Sequence, residues 1–157
     1  MRAQSLGCEI ANHTYDHKYT LSSLDAASIR WEISQCNQSI YNITGSYPNV
    51  MRPVGGAYNS TVSANVGLPM IIWNVDTQDW NGASKDQIVN TLKSALANGS
   101  LRNKVVLCHE NYDSTAGAME EFLPYLKSQG WQCVTVSEMF AAQGKTMQAG
   151  VVYDYVK

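Results

Sequence analysis

Gly7-Cys8-Glu9-Ile10-Ala11-Asn12-His13-Thr14-Tyr15-Asp16-His17 reads, within one short run, as a helix stop, a strand and a polar loop. Residues 2–6 look like the last turn of a helix, which Gly7 closes as a C-terminal cap. Cys8 to Ala11 then form a short apolar strand that leads into the loop. The loop carries His13 and His17, four residues apart, and two neutral imidazoles at that separation can hold one divalent metal. The helical His-Glu-x-x-His of metalloproteases is absent, because Thr14 stands in the second position. A metal held by two histidines needs at least one more ligand, and hydrolysis needs a base besides.

Outward from this stretch, apolar runs alternate with helical periodicity, the pattern of an α/β protein with a mainly parallel sheet. Ser23 is read as the N-cap of a long helix in which Ile29, Ile33, Cys36, Ile40 and Ile43 form one apolar stripe, stopped by Gly45. Val50-Met51-Arg52 is a brief strand that runs into Pro53-Val54-Gly55-Gly56, a backbone-shaping turn. A short helix over 60–66 and a strand from Met70 to Val75 follow. The helix over 85–98 buries Ile88, Leu92, Ala95 and Leu96 and stops at Gly99. Lys104 to Cys108 is an apolar strand ending at His109-Glu110. A helix over 115–129, a strand from Gln132 to Val136, a short helix capped by Ser137 and a tail from Gly144 complete the pattern. No linker, repeat or low-complexity segment divides residues 1–157, which read as a single domain.

Composition narrows the function classes. The chain has 157 residues, 45% of them hydrophobic and 10% aromatic, enough for a buried core and against disorder. A net charge of −2 gives no reason to expect nucleic acid or an anionic membrane as partner. No apolar run reaches the length of a membrane span, and the residues from Met1 onward do not read as a signal peptide. The four cysteines (Cys8, Cys36, Cys108, Cys133) include no Cys-x-x-Cys pair; three sit in apolar segments and read as small buried hydrophobes, a reading preferred to a Cys108–Cys133 bridge between neighbouring strands. Five Asn-x-Ser/Thr triplets read as composition, since the one at Asn12 overlaps the histidine loop.

The polar candidates fall at or just after the C-terminal ends of successive strands, where α/β sheets and barrels assemble active sites. Arg52 ends one strand, so its guanidinium can orient a carboxylate near a metal while the Gly55 N–H faces an oxyanion. Asp76, Asp79 and Trp80 follow the next strand. An Asp-Trp pair there supplies a carboxylate partner for a histidine and an aromatic wall for a sugar or acyl group. His109 ends the strand after that, where it suits a general acid whose charge Asp79 holds. Leu107, on the same strand face, suits the lining of a small acyl pocket. For each residue the plainer reading is a solvated arginine, a turn aspartate or a core histidine.

Taken together, these segments resemble the polysaccharide deacetylases of the NodB-homology type, carbohydrate esterase family 4. His13-Thr14-Tyr15-Asp16-His17 is similar to that family's H-[ST]-x-x-H metal motif, and Arg52-Pro53-Val54-Gly55-Gly56 to its R-P-P-[YG]-G segment, with Val54 in place of the second proline. Asp76-Thr77-Gln78-Asp79-Trp80 resembles D-x-x-D-W, and Leu107-Cys108-His109 resembles the closing L-x-H. Order and spacing agree over nearly the whole chain.

The resemblance implies a distorted (β/α) barrel and metal-dependent hydrolysis of N-acetyl groups on a polysaccharide, peptidoglycan or chitin-like. It implies His13 and His17 as ligands of zinc, cobalt or nickel, and Arg52 as the group that orients the base. It further implies Gly55 as an oxyanion donor, Asp79 tuning His109 as the acid, and Trp80 and Leu107 around the acetyl group. The family's first motif, T-F-D-D-G, supplies the base and a third ligand, and no Asp-Asp pair occurs in these residues. Asp16 and Asp76 do not match its geometry by motif. The expectation is therefore a domain lacking its first strand and most of its first helix, with little or no activity. An open barrel edge tends to pair, so the expectation is either a homodimer through that edge or a gap shielded in some irregular way, and the family's polymers imply an extracellular or cell-surface setting. The alternative within the same resemblance is a non-catalytic, carbohydrate-binding relative.

Overall fold

The protein is described by a computed structural model that covers residues 2–18 and 20–154. In chain order its elements are α1 (Arg2–Ser5), α2 (Ala26–Thr44), α3 (Ser60–Asn65), β1 (Met70–Ile71), β2 (Val75–Asp76) and α4 (Lys85–Ala97). They continue with β3 (Val106–Leu107), α5 (Asp113–Ser128), α6 (Val136–Ala141) and β4 (Val152–Tyr153). The chain folds into two compact units, Met1–Ile72 with Thr135–Tyr153, and Trp73–Val134 with Asp154–Lys157. No described helix is long and apolar enough to cross a membrane.

In the first unit four extended segments lie parallel. Asn12 bridges Met51, Met51 bridges Met70, and β1 pairs with β4 in the register Met70↔Val152 and Ile71↔Tyr153. The strand expected at Cys8–Ala11 thus enters the pairing only at Asn12. Strand β4 was not legible in the tail, and Gly150 makes it possible. Its φ of 77° lets the chain turn, its N–H donates to the Leu68 carbonyl at 3.0 Å, and a Cβ there would overlap the Ser63 carbonyl. Leu21, Ile29, Ile33, Met51, Val62, Val66 and Met70 form the core of this unit.

Helix α2 starts two residues later than its sequence suggests. Leu21–Ser23 winds a single 3-10 turn, and Asp25 is the cap, its side chain accepting from the Ser28 N–H at 2.8 Å. The apolar stripe is buried only in its first half, and Ile43 is 65% exposed. The strand expected over Gln132–Val136 is absent. Thr135 and Glu138 close a capping box that draws Val136 into α6, so local capping overrides the β-branched run. Ser137 is not the cap; its N–H, at 3.1 Å, and its hydroxyl both donate to the Glu9 carboxylate.

The second unit pairs β2 with β3 in parallel, Val75↔Val106 and Asp76↔Leu107. Helices α4 and α5 pack on each other, and Val75, Ile88, Val89, Leu92, Ala118 and Phe122 fill the core between strands and helices. A Ser84–Gln87 capping box starts α4. The run Met70–Val75 is not one strand: β1 joins one ladder and β2 the other. Asn74 interrupts it, bonding Val105 through both its backbone N–H (2.9 Å) and its side-chain oxygen (3.2 Å). The cysteines are all free, Cys8 and Cys133 exposed and Cys36 and Cys108 half-buried, so none is the buried hydrophobe its apolar neighbours suggested.

Candidate active site

The histidine loop is fastened to α2 from below. The buried Asn12 side chain donates to the Ile33 carbonyl (3.0 Å) and to Asn37 Oδ1 (2.7 Å), and its own oxygen accepts the Thr14 N–H at 2.8 Å. Thr14 (φ 67°) and His17 (φ 60°) occupy the left-handed region, which is costly for a β-branched residue. The Thr14 hydroxyl is buried in the same loop without a hydrogen-bond partner. Such a loop persists only where its surroundings over-determine it.

The two imidazoles meet edge to face, with ring centroids 5.2 Å apart. His13 Nδ1 lies 2.6 Å from the Arg52 carbonyl oxygen. A carbonyl only accepts, so Nδ1 carries the proton and the lone pair of the neutral ring resides on Nε2. Tetrahedral ligation at a Zn–N distance of about 2.0–2.1 Å places two ring centroids roughly 5 Å apart. The centroid spacing of the pair is thus the one that two ligands of a single divalent ion would have. Among the described residues no group of three His, Cys, Asp or Glu side chains comes together.

Arg52 is held in register by its N–H, which donates to the Asn12 carbonyl at 2.9 Å. After it, Val54–Gly56 forms a 3-10 turn in which Gly55 (φ 60°) and Gly56 (φ 68°) are left-handed. The turn's bonds use the amides of Gly56 and Ala57, which leaves the amide of Gly55, an exposed residue, outside the turn's internal bonding.

In the second unit Asp79 is the hub. Its carboxylate is 1% exposed and accepts from the Trp80 N–H (2.8 Å), the His109 N–H, the Thr115 hydroxyl (2.8 Å) and His109 Nδ1 (2.9 Å). Burial pushes this carboxyl up, yet the bonds from His109, Thr115 and Trp80 outweigh burial and hold it below the ordinary carboxylate value. Asp79 thus stays ionised and fixes His109 with Nδ1 as donor, so Nε2 is the nitrogen left to exchange a proton. Trp80 is 53% exposed, with its indole N–H directed at the Asp76 carboxylate (3.2 Å). Leu107 is buried in β3, and its carbonyl accepts from the Thr77 hydroxyl at 2.9 Å.

The structure groups the candidates in two sets: His13, His17, Arg52 and Gly55 in the first unit, and Asp79, Trp80, Leu107 and His109 in the second. The two spare acids are engaged elsewhere. Asp16 pairs with Lys18 at 2.8 Å, whose ammonium holds it below its ordinary value, and Asp76 accepts from Trp80 and from the Gln78 N–H. Sequence reasoning missed Thr115 and Glu32. Thr115 sits in the first turn of an amphipathic helix, and Glu32 interrupts the apolar stripe between Ile29 and Ile33. That interruption was the available signal.

Known proteins resemble this chain along most of its length. The family model described as polysaccharide deacetylase matches residues 1–71. The peptidoglycan-N-acetylglucosamine deacetylase PgdA of Listeria monocytogenes is 31% identical over 147 residues, 94% of this chain, and the chain spans only 30% of that protein's length. A structure described as T48 deacetylase with substrate aligns with a TM-score of 0.87 at 28% identity, over 98% of this chain and 73% of that one. A family 4 carbohydrate esterase from Streptomyces lividans, in complex with acetate, is 34% identical with a TM-score of 0.73, over 97% of this chain and 75% of that one. The fold class is accordingly α/β, of the NodB-type distorted (β/α) barrel. At these identities, and over this much of the aligned chains, the protein belongs to the polysaccharide deacetylase family, carbohydrate esterase family 4.

Proposed function

We propose that this chain carries residues for metal-dependent hydrolysis of N-acetyl groups on a polysaccharide, and that these residues by themselves turn over little or no substrate. The observation that carries the reading is the Asp79–His109 bond at 2.9 Å, a buried ionised carboxylate holding a half-exposed imidazole in one orientation. Listeria PgdA is by name a peptidoglycan deacetylase, and this supports an N-acetylated glycan as substrate class. The proposed setting is extracellular or at the cell surface, where such polymers lie.

A divalent ion held by His13 and His17, zinc, cobalt or nickel, would polarise the amide carbonyl and acidify a water molecule. The chain's own residues do the rest. The Gly55 N–H donates to the oxygen that becomes negative as the carbonyl carbon turns tetrahedral. His109, protonated on Nε2, gives that proton to the departing amine nitrogen, because an amide anion is too poor a leaving group. Asp79 stabilises the imidazolium before transfer and keeps Nδ1 the donor. Trp80 and Leu107 bound the acetyl group, and the Arg52 guanidinium orients a carboxylate base. No aspartate pair within the 157 residues supplies that base.

The test is acetate release from an N-acetylated chito-oligosaccharide in the presence of cobalt. The chain alone is compared with the same chain fused behind a segment bearing Thr-Phe-Asp-Asp-Gly from a relative. The chain alone is expected at or below about a hundredth of the fused rate, in line with loss of a general base. Equal rates would overturn the reading.

A further inference from the structure

Glu32 is the one buried carboxylate, besides Asp79, among the described residues. It is 1% exposed, sits on α2, and takes no part in the chemistry above. Burying a carboxylate is expensive unless it is paired and hydrogen-bonded, so its partners identify its task. Oε2 accepts two backbone bonds, from the Tyr15 N–H at 3.0 Å and from the Asp16 N–H at 3.2 Å. Oε1 lies 3.9 Å from the Lys18 ammonium, which also grips Asp16. Tyr15 and Asp16 are residues of the segment that joins His13 to His17. Successive amides turned onto one oxygen form an anion-holding concavity, and here the anion is the protein's own side chain.

The loop needs such a template. Thr14 and His17 are left-handed without being glycine, and the Thr14 hydroxyl is buried unpaired. Local preference therefore works against the conformation that sets the two imidazoles 5.2 Å apart. The neighbouring Trp31 braces the same loop from outside, its ring edge-on to Tyr15 at 5.4 Å. Asn12 fixes the loop's first residue, and Glu32 fixes its middle.

We propose that Glu32 is a positioning residue for the His13–His17 pair: its carboxylate gathers the Tyr15 and Asp16 amides and so holds the two imidazoles at the spacing a divalent ion requires. This rests on the metal-binding reading of that pair. Outer partners of metal ligands change affinity by roughly 10- to 100-fold when removed, which sets the size of the expected effect.

Glu32→Ala and Glu32→Gln, in the full chain, are compared with wild type by cobalt titration, by the visible absorption of the bound cobalt, and by amide exchange of Tyr15 and Asp16 without metal. Glu32→Ala is expected to weaken cobalt binding roughly 10- to 100-fold, to alter the cobalt spectrum, and to expose both amides. Glu32→Gln keeps an oxygen acceptor and is expected to fall between the two. Wild-type affinity and spectrum in a folded Glu32→Ala protein would overturn the proposal. Should Glu32→Ala fail to fold, Glu32→Gln decides: weakened cobalt binding with faster exchange at Tyr15 and Asp16 supports it, and unchanged values overturn it. A wild-type chain that binds no cobalt overturns the metal reading instead. The metal-free exchange then judges Glu32 alone, lost protection in the variants supporting its role and unchanged protection refuting it.

Discussion

The carbonyl oxygen of Arg52 stands 2.6 Å from Nδ1 of His13, and it sets the tautomer of that imidazole. The residue that the motif marks for its guanidinium thus serves the first histidine through its backbone. The Arg52 N–H, bonded to the Asn12 carbonyl, keeps the two segments in step and so supports this contact.

Because that contact is made by the backbone, Arg52→Ala is expected to leave cobalt affinity within about threefold of wild type, or ~0.6 kcal/mol. Titration of the variant with cobalt checks this. A tenfold loss would mean that the guanidinium itself supports the histidine pair.

Asp79→Asn removes the charge around which four donors are arranged, and is expected to cost about 2–3 kcal/mol in urea denaturation at neutral pH. The pH dependence has a definite sign. The folded carboxyl lies below its unfolded value of about 3.9, so its contribution is full well above that value and fades as pH falls through the lower folded value. The gap between wild type and variant should therefore shrink between pH 7 and pH 3. A gap that stays constant would contradict the assignment of Asp79 as an ionised hub.

Thr115→Val keeps the volume of a buried side chain and deletes one hydroxyl bond to Asp79. The expected results are a loss of about 1–2 kcal/mol and a rise of the Asp79 pKa toward its ordinary value. Carbon-13 titration of the carboxyl group reports the second effect directly, and an unmoved titration midpoint would count against it.

Gly150→Ala places a Cβ on the Ser63 carbonyl in a left-handed backbone. A loss of stability of at least about 1 kcal/mol is expected, with faster amide exchange at Met70, whose N–H donates to the Val151 carbonyl. Wild-type melting and exchange in this variant would show that β4 does not depend on the close approach.

The order of elements was largely legible, because helical periodicity is a local property, and strand-end polarity is the local property that singled out the candidate residues. Gly45 at the end of α2 is a signal of that local kind. What escaped depends on partners distant in sequence. Strand β4 exists through Met70–Ile71, more than 80 residues upstream of it. Thr115 is defined by Asp79, 36 residues away, and Glu32 by amides 16 and 17 residues back. The Gln132–Val136 error has a local cause: the Thr135–Glu138 capping box outweighed a β-branched run. Buried polar residues were the hardest to read, since composition alone marks them as surface.

The sharpest test of this protein's proposed chemistry is a cobalt titration of the whole chain, followed in the visible spectrum and by calorimetry. Saturable binding of one ion per chain is expected, weakened at least about tenfold in His13→Ala and in His17→Ala, the loss of an imidazole ligand being worth ~1.4 kcal/mol or more. A wild-type chain that binds no cobalt, or variants that bind it as wild type does, would contradict the claim that these two histidines form a metal site.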